Sequence, residues 1–395
     1  MTHRWKRWLA PGAAITAAAL LAACSSSSSS SSSSAASSSS SAAPSSSGTA
    51  SSGLAQAQKM VAQLQATTSS YPVPTATISG VSKLKGRTVY YVPLAQAIPT
   101  FVVAADTMKE ALAKAGLKLQ VCDGQGQPSA IASCVGQAVA ANAAGIVTDA
   151  IPYGMAQNAF DSAKSKGVPI VIGDQVPPAG TANTVQVSYL PGVIDMPSQI
   201  AWWMIADSQG KANAIIAAET DSPSSLGFVT SSLPIYKKYC PGCTITVKPI
   251  TATTNSLLAS ATSSNILAHP NATYYYTEFE DSLQPTVQGI QQSAKSNNIS
   301  LSVAAGTVNG LGLLKGNSVV KAVVVVDEAY EGWALTDEIL RLATKSAPVT
   351  ETIPSRLFTK QNIGTIQVTP AAQATGAWFG GNSYQSAFAN LWGAG

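Results

Sequence analysis

From Gly86 onward one unit recurs: a short continuous apolar run rich in Val, Ile and Tyr, an Ala-rich helical stretch, then Gly, Pro or Asp. Continuous apolar strands separated by helices indicate a parallel sheet covered on both faces. The pattern predicts strands at 88–93, 118–122, 145–148, 169–173 and 184–188, with helices at 100–115, 129–143, 155–166 and 194–207. The rhythm then restarts. Strands are expected at 212–218, 244–250, 272–276 and 301–305, with helices at 224–239, 255–268 and 283–296 between them. A further strand (322–326), a helix (332–343) and a short strand (364–368) precede an aromatic tail of Trp378, Phe379, Tyr384, Phe388 and Trp392. Some 310 residues arranged this way suit two domains. The expected fold class is α/β, two doubly wound parallel-sheet lobes, with ligand beyond the carboxyl ends of the strands.

The N-terminus has a different character. A basic start (His3, Arg4, Lys6, Arg7) precedes an apolar stretch from Trp8 to Leu21, the layout of a secretory signal. The run is shorter than the ~20 residues a spanning helix needs. It ends in Leu21-Ala22-Ala23-Cys24, which resembles the lipobox of bacterial lipoproteins at all four positions. That resemblance implies lipidation of Cys24, a signal peptide over 1–23 and a chain tethered to the outer face of the cell membrane. Residues 24–53 are almost wholly Ser and Ala and read as a flexible linker with a mean reach of roughly 30 Å. A weakly amphipathic helix follows over 53–67, with Leu54, Ala57, Val61 and Leu64 on one stripe.

Charge excludes some partners. The whole chain carries 23 basic and 19 acidic residues, and losing Arg4, Lys6 and Arg7 with the signal leaves 20 against 19. No basic patch points to nucleic acid. Hydrophobic residues make up 46% of the chain, enough for a large core. Four cysteines remain besides Cys24, an even number that in an exported protein favours disulfides. Proximity pairs Cys122 with Cys134 and Cys240 with Cys243. The Cys240-Pro241-Gly242-Cys243 spacing also occurs in redox motifs, but those follow a strand and open a helix. Here the order is helix then strand, so the pair reads as a structural loop disulfide. A zinc site would need further ligands, and His269 is the one histidine beyond the signal.

Over residues 84–361 the chain resembles the type I periplasmic binding proteins, in the sugar-binding branch that serves ABC importers. Gly86-Arg87-Thr88-Val89-Tyr90-Tyr91-Val92 resembles the opening strand, and the stretch from Phe101 to Ala115-Gly116 the first helix. Asp123-Gly124-Gln125-Gly126 resembles the Asp-rich loop after the second strand. Gly145-Ile146-Val147-Thr148 and Ala163 through Val171 resemble the family's "DGIV…AKKAGIPVV". Asp327 with Gly332, and Thr359-Lys360-Gln361-Asn362, resemble its late segments. The resemblance implies a three-segment hinge near 188–192, 320–327 and 347–353. Lobe one is then 84–191 plus 327–346, and lobe two 192–326 plus 347–395, with 54–83 as a lead-in. It also implies a monomer that captures a small ligand and delivers it to an ABC permease, with no cofactor. Asn309 stands where the family usually has a sugar-binding Asp.

The loops after the strands are rich in carboxylates, amides and aromatics and lack Arg and Lys. The candidate ligand residues are Phe101, Asp123, Gln125, Asp149, Tyr153, Asp174, Asp221, Glu278, Asn309 and Asp327, with Asp123 and Asp327 leading. Sugar hydroxyls donate to carboxylates, and sugar faces stack on aromatic rings. Anionic ligands would call for Arg or free helix N-termini. The same Asp and Asn positions suit helix caps, and Phe101 suits a core. The acid excess equally admits an amine ligand, and a receptor role serves the same fold. A glycoside hydrolase needs only two carboxylates, but no nucleophile elbow, zinc motif or phosphate loop is present.

Overall fold

The computed structural model describes residues 46–251, 256–316 and 318–394. The lipobox-like segment with Cys24, and most of the Ser-rich tract, lie outside these residues. Helix α1 (Ser46–Leu64) begins the described chain. It starts earlier than the 53–67 expected, within the segment read as linker. It needs a glycine where it lies on the next lobe: a Cβ at Gly53 would stand 2.2 Å from the Tyr239 carbonyl oxygen.

The first sheet is built from β1 (Thr88–Pro93), β2 (Lys118–Val121), β3 (Gly145–Asp149), β4 (Ile170–Gly173) and β5 (Val187–Leu190). Their order is β2-β1-β3-β4-β5, and every pairing is parallel. Helices α2 (Pro99–Lys114), α3 (Pro128–Ala140) and α4 (Gln157–Ser165) cross between strands. Continuous burial of β3 and β4 explains their unalternating apolar sequences.

The chain then passes into a second layer set. Helix α5 (Met196–Asp207) leads to β6 (Asn213–Glu219), α6 (Pro223–Tyr239), β7 (Thr244–Ile250), α7 (Leu258–Ala268), β8 (Tyr274–Thr277), α8 (Leu283–Gln292), β9 (Ser300–Val303), α9 (Val308–Lys315) and β10 (Val320–Val326). After β10, helix α10 (Glu328–Ala343) returns to pack on α2, β3 and β4. Strand β11 (Ser355–Thr359) then rejoins the second sheet, whose order is β11-β10-β9-β8-β6-β7. The chain thus passes between the sheets three times.

Three features differ from the sequence reading. Strand β11, at 355–359, was not anticipated, and it runs antiparallel to β10, so the second sheet is mixed. The strand expected at 364–368 does not form; residues Ile363–Thr365 make a single 3-10 turn. Helix α9 was not anticipated, and its first turn is held by the Glu280 carboxylate, which accepts from Thr307 N–H and Oγ1 and, at 3.2 Å, from Gly310 N–H.

The tail also divides. Beyond β11, helix α11 (Pro370–Ala374) touches α2 and α10 while its Ala372, with Trp378 and Phe379, joins the core of the second sheet, and helix α12 (Tyr384–Leu391) packs on α2 and α10. The lead-in runs beside them, with Thr68 N–H donating to Phe379 O at 2.7 Å and Ile78 N–H to Leu391 O at 2.8 Å. Trp392 stacks on Trp333 with centroids 5.6 Å apart, and its indole N–H donates to Asp337 at 2.7 Å. Both disulfides form, Cys122–Cys134 and Cys240–Cys243. The second closes the turn between the end of α6 and β7, the reverse of redox order.

Replacing Trp392 with Ala removes a ring that is 3% exposed. It is expected to cost about 3–5 kcal/mol, read as a lower urea midpoint at unchanged slope. A cost under about 1 kcal/mol would mean that the tail is not part of the cooperative unit.

Candidate functional site

The carboxyl ends of both sheets carry buried acids. In lobe one, Asp149 is the last residue of β3 and Asp174 follows β4. Asp174 adopts a left-handed φ of 54°, which turns the chain sharply out of the strand. Gly192 must lack a side chain, because a Cβ there would lie 1.9 Å from Asp174 Oδ1. From β1, the Tyr91 hydroxyl donates to Asp149 Oδ2 at 2.7 Å. From α10, Glu328 and Glu331 reach the same place, being one turn apart on one helix face. Single oxygen atoms of Asp149, Asp174 and Glu331 all lie within 4.8 Å of one another.

Lobe two repeats the theme. The Glu219 N–H, at the end of β6, donates to Glu278 Oε2 at 2.7 Å, and Ser282 Oγ donates to Glu219 Oε1 at 3.3 Å. Asp221 and Asp281 lie exposed nearby, and their charges act on each other and on Glu219. The lobes touch where Val176 N–H donates to Ser224 Oγ at 3.1 Å and Ser224 Oγ donates to Gln175 Oε1 at 3.2 Å.

Burial sets the protonation of these groups. Desolvation pushes Asp149 up to about 6, partly offset by the Tyr91 hydrogen bond. Desolvation raises Glu219 to about 8, with the Asp281 and Asp221 charges adding to it, and Glu278 to about 9. Asp174, Glu328 and Glu331 also lie well above the usual carboxylate range, from burial and then from one another's charge. Several buried acceptors face no donor: Asp149 Oδ1, Glu278 Oε1 and both oxygens of Glu331. Among the described residues the ion pairs are Lys164–Asp161 and Arg341–Asp337, and neither belongs to this group.

Of the residues singled out from sequence, Asp149, Asp174, Asp221 and Glu278 sit at these strand ends. The others do not join them. Asp327 is fully buried and caps α10, accepting from Tyr330 N–H at 3.1 Å. Its carboxylate is covered by Tyr71 of the lead-in and by Gly376 of the tail, and burial raises it to about 7. Asp123 is exposed and ties two loops, accepting from Gln96 and Gln125 N–H groups at 2.9 Å; Gln125 is exposed with it. Phe101 is 6% exposed and packs in the core. Tyr153 turns to α4, donating to Asp161 at 2.7 Å and packing on Phe160. Asn309 is exposed on α9 and accepts from Gln284 Nε2 at 3.1 Å.

Sequence reading passed over Tyr91, Glu219, Ser224 and Glu331. Two left a signal: Glu219 is an acid closing an apolar strand, and Glu331 follows Glu328 at helical spacing. A groove of ≈ 660 Å³ lies elsewhere, between α1 and the starts of β9 and β10, beside Gln58, Trp203, Ser300 and Val320. It holds none of the buried acids.

Each of these acids binds its proton more tightly folded than unfolded. Their stabilising contribution is therefore complete below about pH 4 and is lost as pH rises through about 6 for Asp149, 7 for Asp327, 8 for Glu219 and 9 for Glu278. Thermal unfolding of the ligand-free chain is expected to show a falling melting temperature between about pH 5 and 9. Glu278→Gln should flatten the alkaline part of that fall, and an unchanged slope would contradict the buried-acid account.

No protein-family model and no curated protein matches the sequence. Solved structures do match the fold. A 5-methylthioribose transporter solute-binding protein from Thermotoga lettingae aligns with TM-score 0.65 and 16% identity, over 79% of this chain and 99% of that one. A glucose-galactose binding protein from Geobacillus stearothermophilus aligns with TM-score 0.62 and 16% identity, over 70% and 99%. The Caulobacter myo-inositol binding protein aligns with TM-score 0.61 and 16% identity, over 74% and 98%. With one wholly parallel sheet, a second that is parallel but for β11, and a chain that passes between the two sheets three times, the chain has the fold of the type I periplasmic solute-binding proteins.

Proposed function

We propose that this chain is an exported, lipid-anchored solute-binding protein that captures a small polar ligand, a sugar in the first instance, between its lobes and hands it to an ABC permease. The observation that carries the reading is the set of buried carboxylate oxygens without donors at the strand ends of both lobes. Such acceptors favour a ligand that brings several hydrogen-bond donors, and sugar hydroxyls do so. The proteins of like fold that bind 5-methylthioribose and myo-inositol support the same choice. The role involves no catalysis and no cofactor. Hinge motion would open and close the lobes, breaking and making the Gln175–Ser224 contact.

The lipobox-like Leu21-Ala22-Ala23-Cys24 supports the anchor. A single lipid signal holds a protein reversibly, and two or more acyl chains hold it stably. The Ser-rich tract would give the folded body the reach to meet a membrane partner.

Titration of the full chain in detergent with a panel of pentoses, hexoses and polyols, followed by calorimetry, tests the reading. One sugar class is expected to bind. Asp174→Ala and Glu278→Ala should each weaken it by about 1–3 kcal/mol, the cost of stranding a buried partner. Absence of binding across the panel would reject the sugar assignment. Cys24→Ser expressed in a bacterium that processes lipoproteins is expected to shift the protein from the membrane fraction to the soluble exported fraction. Continued membrane association would reject the lipid anchor.

A further inference from the structure

The corner of lobe one formed by β3, β4 and α10 gathers carboxyl groups in a number that hydroxyl binding alone does not require. Asp149 and Asp174 come from adjacent strand ends, brought together by the parallel pairing of β3 with β4. Glu331 arrives separately, from the first turns of α10. It is 1% exposed, yet neither of its carboxylate oxygens meets an N–H or hydroxyl donor; its polar neighbours are the Asp174 and Glu328 carboxyls. Asp149 is likewise 1% exposed, and its Oδ1 is unpartnered. Burying an acid on a helix without a donor is costly, and here it faces two more acids.

We infer that Asp149, Asp174 and Glu331 form a cation site, taking either a hard divalent metal ion or the ammonium group of the captured ligand. The geometry fits both. Their oxygens lie within 4.8 Å of one another. Oxygens bonded to Ca²⁺ at about 2.3–2.6 Å stand up to about 5 Å apart across the ion. Three acceptors around an ammonium nitrogen at about 2.8 Å stand about 4.6 Å apart. An all-oxygen ligand set selects Mg²⁺, Ca²⁺ or Mn²⁺ over softer metals. Asp174 is partly exposed and so forms the entrance, while Glu331 and Asp149 form the floor. Glu328, one turn before Glu331 and 8% exposed, adds a fourth buried carboxyl beside it. The ammonium arm rests on the solute-binding reading; the metal arm does not.

The test uses the full chain in detergent, stripped with EDTA and dialysed at neutral pH. Thermal unfolding is followed with CaCl2, MgCl2 or MnCl2 in one arm. Spermidine and glucosamine form the other arm, with glucose as the uncharged counterpart. A rise of about 5 °C at roughly 100 times the dissociation constant is expected in one arm. Glu331→Gln and Asp174→Asn should each weaken that response at least about tenfold, while Asp161→Asn, on α4 and outside the cluster, should leave it intact. Glutamine keeps the shape and the uncharged state that burial favours at Glu331 in the ligand-free fold, so Glu331→Gln should melt no lower than wild type; Asp174→Asn, at a more exposed position, decides the matter if it does not. A response to metals alone assigns an ion, and a response to amines alone assigns the ligand's ammonium group. No response in either arm, or a response kept in full by both variants, overturns the site. Sugar binding without any cation response would remove this site and leave the solute-binding reading standing. A metal response without sugar binding would do the reverse.

Discussion

The burial of helix α10 is the constraint on which the rest of the structure depends. All but the last of its sixteen residues are buried. One face lies on β3, β4 and α2, and the other is covered by α11, α12 and the lead-in. A helix enclosed in this way would ordinarily be apolar all round, yet this one carries Glu328, Glu331, Asp337, Glu338 and Arg341. Each polar group must then find its partner inside the protein or lose the free energy of its hydration. Arg341 does so by pairing with Asp337 at 2.6 Å and donating to Ala76 O at 2.8 Å. Glu338 accepts from Ser188 Oγ and, at 3.0 Å, from Val349 N–H. Glu331 meets no N–H or hydroxyl donor of this kind, only the carboxyls of Asp174 and Glu328.

The same helix links the lobes to the termini. It follows the crossing at Asp327, whose N–H donates to Pro354 O at 2.9 Å and so joins the second and third crossings directly. Around that point Tyr71, Tyr330 and Tyr384 pack together, with Tyr71 and Tyr330 stacked at 5.4 Å. The lead-in starts on lobe two through α1, which packs on α5 and α6, and ends on lobe one beside α10. Residues from both ends of the chain therefore brace the hinge. This enclosure, rather than any ligand contact, accounts for the depth at which Asp327 lies.

The acids at the strand ends share one physical cause. Parallel strands terminate together, so residues that end β3 and β4 in lobe one, or β6 and β8 in lobe two, are brought side by side whatever their sequence separation. When those residues are Asp or Glu and no Lys or Arg joins them, burial and then their mutual charge raise their pKa values, and the pocket becomes a set of carboxyl oxygens in want of partners. Neutral donors and cations both relieve it. That shared need ties the sugar reading to the cation site without making them the same claim.

Much of the fold was legible because period and punctuation are local. The strand at 88–93 and the strand at 244–250 fall where their apolar runs lie, and the reversed context of Cys240 and Cys243 could be read from the order of helix and strand. Asp149, Asp174, Asp221 and Glu278 were legible because strand ends are. Strand β11 was not legible, since Ser355-Arg356-Leu357-Phe358-Thr359 holds only two adjacent apolar residues and its antiparallel place beside β10 is set by the sheet edge. Nor could the sequence show that the segment at 364–368 forms no strand, since whether an edge finds a partner is decided elsewhere. The fate of Asp327 and Phe101 was equally hidden, because a helix cap, a core ring and a ligand contact demand the same residue types. By itself the sequence determined the alternation of strand and helix and the acidity of the strand ends, both properties of neighbouring residues. Only the tertiary structure decided which acids meet, because that depends on strand order and on a helix brought back from more than 150 residues further along the chain.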